Sequence, residues 1–326
     1  MSSAPSKKLS LDSHVADSRT VLITGSSGLV GSRLISVLES RGQRVIRAVR
    51  REPQNQNEIR WRPQDFPENI PRHEQDAFEN IDAVIHLAGE NIAESRWNSA
   101  RKTSLRSSRV KATENLVGLI QRLSSAPKYF ISASAIGIYS SQTDVPMTES
   151  SPIAEGFLGD LCRDWENAST PLEAIGTRVS HLRIGLVLSP AGGILQRLLP
   201  LFRLCLGSRI GSGRQWMSWI DLDDLIEIIY QELLDTGLGG VLNCTAPGSV
   251  RNSDFTATLA TALRRPVAPP VPSFLIRLLF GEMGQQLILQ GARVVPQRLL
   301  DEGYRFAHPD LPAAIRNQLS KYRKFR

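Results

Sequence analysis

Thr20-Val-Leu-Ile-Thr-Gly-Ser-Ser-Gly-Leu-Val-Gly-Ser-Arg33 is the stretch that decides the fold of this chain. Val21, Leu22 and Ile23 form a short apolar run of strand type, and Gly25, Gly28 and Gly31 follow it. Leu29, Val30, Leu34, Ile35 and Leu38 then recur with the period of an amphipathic helix. A helix starting here offers unpaired backbone N–H groups and the positive end of its dipole to a pyrophosphate. The glycines permit the tight turn, close approach of the backbone to phosphate, and close helix–strand contact. The pattern predicts a dinucleotide cradle made of Gly25, Ser26, Ser27, Gly28, Leu29, Val30 and Gly31. A glycine triplet by itself also suits an ordinary strand–turn–helix. The strand before it, the helix after it and its place near the chain start favour the dinucleotide.

The next strand, Arg44-Val-Ile-Arg-Ala-Val-Arg-Arg51, bears on which dinucleotide. An NAD site places an Asp or Glu about 20 residues past the motif, on the ribose 2′-hydroxyl. Arg50 stands there instead, with Arg51 beside it and Arg33 just past the last glycine. Guanidiniums without a carboxylate suit a 2′-phosphate, each charge-assisted contact being worth about 1.5–3 kcal/mol. NADP(H) is the cofactor this predicts; solvated arginines at a strand end are the alternative.

Outward from this unit, strands and helices alternate. Helix 29–41 leads to strand 44–50, then a polar loop runs to about residue 78, with a short strand at Ile59-Arg-Trp61 and Asp65 placed as an adenine reader. Strand 82–89, helix 98–123, strand 128–134, helix 157–174 and strand 179–188 follow. Such alternation predicts an α/β fold, a Rossmann-type doubly wound parallel sheet. A Rossmann domain over 19–190 is expected to receive about 215–247, whose strand 240–245 returns to the sheet edge. Helix 194–206, a Gly-rich loop and the Pro-rich 266–273 read as a smaller C-terminal substrate-side lobe, 191–214 and 248–326. Residues 1–18 lack an apolar core segment and read as a disordered leader rather than a secretory signal.

Composition excludes several classes. At 326 residues with 41% hydrophobic and 22% charged, the chain reads as a globular enzyme. No run of about 18 apolar residues occurs, so no membrane span is expected. The net charge is +7, yet no basic block with interleaved aromatics marks a nucleic-acid face. Cys162, Cys205 and Cys244 are odd in number and far apart, forming neither a disulfide framework nor a metal site. A reducing, cytoplasmic location follows as an expectation.

Beyond the glycine turn, His86-Leu-Ala-Gly89 and Ser134 after a strand complete a pattern that resembles the extended short-chain dehydrogenase/reductases, the nucleotide-sugar epimerase group. Leu87-Ala-Gly-Glu-Asn-Ile92, Arg96-Trp97, Ser108-Arg-Val110, Gly211-Ser-Gly-Arg-Gln-Trp-Met-Ser-Trp-Ile220, Leu222-Asp-Asp224 and Gly281-Glu-Met283 narrow this. Ala246-Pro247 and Val250-Arg-Asn252 belong to the same set. Together they resemble an atypical subfamily of epimerase-family proteins, often labelled SulA-type cell-division inhibitors, over about residues 19–316. The resemblance implies cofactor contacts at Leu87, Ala88 and Gly89, a small-molecule substrate, and the parent's usual homodimer through two helices.

One part of the parent pattern is missing. Active parents carry Tyr-x-x-x-Lys on the helix after the serine strand, the Tyr as acid/base and the Lys lowering its pKa and holding the nicotinamide ribose. Here that helix reads Phe157-Leu-Gly-Asp-Leu-Cys-Arg-Asp-Trp-Glu166. One register puts Leu158 and Cys162 at the two positions, the other Phe157 and Leu161. The parent's Asn is replaced by Arg109, and Ser134 alone remains.

Hydride transfer at a carbonyl needs a proton donor beside the developing alkoxide. Ser134 and Tyr139 are the catalytic candidates, Tyr139 leaving the same strand end with pocket wall as its other role. Glu90 and Asn91 follow a strand whose carboxyl end faces the ligand crevice, and are substrate-binding candidates as well as a cap and a turn. Arg214 and Trp216 are candidates for clamping an anion and stacking on a ring, or for anchoring a loop. Asp221, Asp223 and Asp224 read as helix caps, His86 as a core residue, and Arg183 as a carboxylate's partner. Three functions stand open: an NADP(H)-dependent oxidoreductase or epimerase-like enzyme, a silent NADP(H)-sensing regulator linked to division, and a nucleic-acid binder.

Overall fold

The computed structural model describes residues 18–139, 144–234 and 237–324, with side chains through Lys321. The leader expected over 1–18 thus lies, apart from Ser18, outside the described residues. β1 (Thr20–Thr24) passes through the glycine turn into α1 (Leu29–Ser40), followed by β2 (Arg44–Val49), β3 (Glu58–Arg60) and α2 (Arg72–Asp76). Next come β4 (Ala83–His86), α3 (Ser99–Arg106), α4 (Ala112–Ile120), β5 (Tyr129–Ala135), α5 (Phe157–Asn167), β6 (Arg178–Ile184) and β7 (Leu186–Ser189). The remainder is α6 (Gly193–Arg203), β8 (Ser208–Ile210), β9 (Trp216–Met217), β10 (Trp219–Asp221), α7 (Leu222–Leu233) and β11 (Gly240–Cys244). β12 (Val250–Arg251), α8 (Asn252–Leu263), β13 (Ala268–Val271), α9 (Ser273–Leu287), α10 (Gln297–Asp301) and α11 (Leu311–Lys324) close the chain.

Seven parallel strands form the main sheet in the order β11-β6-β5-β4-β1-β2-β3. Leu22 pairs with Ile46 on one side and Val84 on the other. Alternate residues feed two cores, as a sheet covered on both faces requires. Val21, Ile23, Ile85 and Ile131 pack with α1 and α7, while Leu22, Val84 and Phe130 pack with α4. Strand order reverses between β1 and β4, so the carboxyl ends of these strands open the crevice where doubly wound sheets take ligands. A third core around Trp219, Phe202 and Phe255 joins α6, α8 and α11 beside that crevice.

Local chemistry revises several element boundaries. The helix expected over 98–123 is α3, a π-helical turn at Ser107–Lys111, and α4. The strand expected over 179–188 breaks at Gly185, where a Cβ would lie 2.7 Å from the Ser218 carbonyl oxygen. β7 then leaves the sheet and pairs with β10. The helix expected over 157–174 stops at Asn167, and Pro171, with no N–H to donate, opens a separate 3-10 turn over Thr170–Ile175. β11 does return to the sheet edge, beside β6. Among the described residues no helix is long and apolar enough to cross a membrane.

Candidate active site

The glycine turn is closed by a bond from Gly28 N–H to the Gly25 carbonyl at 3.0 Å. Gly25 has φ +67°, and a Cβ there would stand 2.6 Å from the Leu87 carbonyl oxygen. A Cβ on Gly31 would stand 2.4 Å from the Gly25 carbonyl oxygen. Only glycine lets β1, α1 and the Leu87–Gly89 segment meet so closely. Thr24 Oγ1 stitches the same junction, accepting from Leu87 N–H at 3.1 Å and Ala88 N–H at 3.2 Å. α1 has no side-chain cap and no acid in its first turn. The N–H groups of Leu29, Val30 and Gly31 find no backbone acceptor among the described residues. Ser26, Ser27 and Gly28 lie at the open side of the turn. This is a cradle for an anion of pyrophosphate type, and the residues fit a dinucleotide.

The three arginines expected to mark a 2′-phosphate differ in what they hold. Arg33 pairs with Asp223 at 3.2 Å. Arg51 makes a two-pronged bond to Glu58, both distances 2.7 Å, and this hydrogen bonding draws the Glu58 carboxyl down to about 2. Arg50 is exposed and has no ionic partner among the described residues. Asp65, beyond β3, lines a polar pocket with Arg60, Arg62 and Glu74.

At the ends of β5 and β6 a different arrangement closes on itself. Ser134 donates to Glu166 Oε1 at 2.6 Å, and Arg183 grips both oxygens of Glu166 at 2.9 and 2.8 Å. Arg183 Nη1 also donates to the Tyr139 hydroxyl at 2.7 Å, and that hydroxyl donates to Asn243 Oδ1 at 2.7 Å. Asn243 Nδ2 ends the chain on the Val295 carbonyl at 2.9 Å. All five side chains are buried. Burial opposes the Arg183 charge, but the paired oxygens of Glu166 outweigh it and hold the guanidinium above its ordinary basicity. Burial pushes the Tyr139 phenol up, with Arg183 offsetting only part. In the parent pattern a Lys pulls the phenol down; here the shift has the other sign.

The helix α5 supplies no charge at the two parent positions. Leu158 packs on Gly137, and burial, with Glu166 adding to it, pushes the Cys162 thiol up to about 12, so it stays protonated. Facing it from the π-helical turn is Arg109, whose guanidinium lies 5.3 Å over the Trp165 ring and beside Gly89. Just past this turn, Thr113 Oγ1 donates to the Arg109 carbonyl at 2.7 Å. His86 supports it: its Nε2 lies 3.1 Å from Thr113 Oγ1 and its Nδ1 2.8 Å from Thr24 Oγ1. The network assigns the proton to Nε2. Complete burial draws His86 down to about 4, so it is a neutral core residue.

Glu90 is held by Arg101 at 2.5 Å and by Ser104 at 2.8 Å, while Asn91 Oδ1 accepts from Ala93 N–H at 3.0 Å and thereby turns the loop. Trp216 sits under Arg251, 3.7 Å from its ring centre, with Arg293 at 5.1 Å, and donates to Asp144 at 3.0 Å. Arg214 is exposed, and its carbonyl receives a bond from Arg251. Asp221 caps α7 through Asp223 N–H at 2.8 Å. Glu166, Asn243, Arg251 and Arg293 escaped the sequence reading as site residues. Of these, Glu166 was visible as the acid closing the α5 segment, and it is the carboxylate that Arg183 was expected to pair with.

Comparison with known proteins places similarity over most of the chain. The NAD dependent epimerase/dehydratase family matches residues 21–244, and a Domain of unknown function (DUF1731) matches 271–318. An epimerase family protein of Mycobacterium bovis is 40% identical over 295 residues, spanning 90% of this chain and 96% of its own. The crystal structure of human epimerase family protein SDR39U1 (isoform 2) with NADPH superposes with a TM-score of 0.83 at 32% identity, covering 92% of this chain and 99% of that one. A nucleoside-diphosphate sugar epimerase structure from Corynebacterium glutamicum gives a TM-score of 0.77 at 35% identity, over 93% of this chain and 59% of its own.

Proposed function

The chain belongs to the NAD dependent epimerase/dehydratase family, and we propose that it is an NADP(H)-binding, epimerase-like oxidoreductase for a small substrate that works without the Tyr-x-x-x-Lys pair. The observation that carries this reading is the open cradle between Gly25 and Gly31, with Arg50 unpaired at the position of the NAD-reading acid. The human relative crystallised with NADPH supports the choice of cofactor. Gly25 to Gly31 would hold the pyrophosphate, Arg50 with Arg33 and Arg51 the 2′-phosphate, and Leu87 to Gly89 the face of the nucleotide. When bound, the cofactor supplies a hydride donor or acceptor. Ser134 and Tyr139 are the hydroxyls we assign to proton transfer, wired together through Glu166 and Arg183. Glu90, Asn91, Arg214 and Trp216 are assigned to the substrate side.

A second reading draws on the closed Ser134–Tyr139 network, with its raised phenol and missing Lys: a protein that binds NADP(H) and signals it without turnover. The SulA-type division label attached to the subfamily belongs to this reading, and none of the relatives named above carries it. A panel of small carbonyl compounds, added to protein loaded with NADPH, separates the two. Loss of reduced-nicotinamide absorbance with any of them, abolished by Ser134→Ala with Tyr139→Phe, supports the enzyme. Loss undiminished in that double variant contradicts the site assignment, and no loss with any compound favours the sensor.

A further inference from the structure

Arg109 is a cation with no ion-pair partner among the described residues. The half-buried guanidinium has five N–H donors, and three bonds are made: Nη1 to the Leu105 carbonyl at 3.3 Å and Ser108 Oγ at 3.4 Å, and Nη2 to the Glu90 carbonyl at 2.8 Å. All three acceptors are neutral. Nε and one hydrogen of Nη2 have no acceptor among the described residues, which leaves donors for a carboxylate. Among the described residues no carboxylate lies within ion-pair distance either. The nearest acid in sequence contact, Glu90, is spent on Arg101 and Ser104. Its neighbours differ: Arg101 has Glu90, Arg106 has Asp164, and Arg183 has Glu166. Beneath Arg109, Trp165 is buried and its Nε1–H also lacks an acceptor. A cation taken partly out of water without a counter-ion is costly to keep. Burial accordingly draws Arg109 below its ordinary basicity. Yet the fold places it on the π-helical turn, packed beside Gly89, where even a Cβ would touch the guanidinium.

We propose that Arg109 is the binding residue for a carboxylate on the substrate, received by its free Nε and Nη2 donors between Gly89 and α5. This rests on the reading of the site as a nicotinamide-nucleotide enzyme and adds the substrate class, a small carbonyl compound bearing a carboxylate. The cation that the parent pattern places on α5 is here delivered from the opposite wall, and it meets the substrate rather than the cofactor.

The test uses oxamate and its neutral counterpart oxamide as probes, titrated calorimetrically into the full-length protein with and without NADPH. Oxamate is expected to bind at least about tenfold more tightly than oxamide, the scale of one charge-assisted contact. Arg109→Gln is expected to remove that preference and leave NADPH affinity within about threefold; Arg109→Lys, which keeps the charge and loses the guanidinium, is expected to fall between. Equal binding of the two probes by wild-type protein overturns the proposal whatever the variants do. So does a variant that keeps the oxamate preference, or one that loses NADPH affinity instead. Absence of NADPH binding with oxamate preference intact sinks the cofactor reading and spares the anion site.

Discussion

The Gly25 turn and the Glu166 network lie at the carboxyl ends of strands in one sheet, yet the first leaves its donors unanswered while the second pairs its polar groups with one another. At the turn, the first N–H groups of α1 and the guanidinium of Arg50 face outward without partners. Around Glu166, every hydroxyl, carboxylate oxygen and guanidinium nitrogen has a named protein partner. Unspent donors are what a ligand site looks like before its ligand, because each carries an unmet cost that binding removes. Spent ones are what scaffolding looks like. On our reading the turn keeps its donors open for a ligand, while the Glu166 network is a brace that also positions the Ser134 and Tyr139 hydroxyls we assign to proton transfer.

The contrast can be broken at the brace first. Glu166→Gln strands the buried Arg183 charge and is expected to cost about 3–5 kcal/mol in urea unfolding, with NADPH affinity little changed. A cost under about 1 kcal/mol would mean the network is wet and exchangeable, not scaffolding.

His86 links the turn to the helix that carries Arg109, bonded to Thr24 below the turn and to Thr113 beside Arg109. Its folded value lies near 4 against an ordinary 6.5. Protons therefore bind the unfolded chain first, and stability falls as pH drops from 6.5 towards 4. At 1.36 kcal/mol per pH unit the loss approaches about 3 kcal/mol. Comparing acid unfolding of wild-type and His86→Gln protein isolates this share; identical pH profiles would remove His86 from the account.

At the turn the effect on stability is smaller and the effect on ligand larger. Gly25→Ala forces a side chain into φ +67° against the Leu87 carbonyl, at a cost of about 1–3 kcal/mol. It is expected to weaken NADPH at least about tenfold while leaving the Glu166 network intact. Unaltered NADPH binding would show that the turn is not the cradle.

How legible these regions were in the sequence follows from the range of the interactions that make them. The turn is local: three glycines and a flanking apolar strand and helix are contiguous, and period and spacing expose them. Arg50 was readable for the same reason, by counting from Gly31. The network is not local. Ser134, Glu166, Arg183 and Asn243 come from three strands and one helix, and nothing in sequence shows that Asn243 will face Tyr139. Absence was nonetheless informative, since the α5 segment lacks Tyr and Lys in either register. The π-helical turn was illegible because the apolar period across it reads as one continuous helix. Arg33 and Arg51 show the converse limit: sequence places a charge, but whether Asp223 or Glu58 has already claimed it is a tertiary fact.

The most direct test of the central claim is a titration of NADPH and of NADH into wild-type and Arg50→Asp protein, followed by nicotinamide fluorescence. Wild-type protein is predicted to bind NADPH at least about tenfold more tightly than NADH, and Arg50→Asp to erase that preference. Equal affinities in wild-type protein, or binding of neither nucleotide, would contradict it.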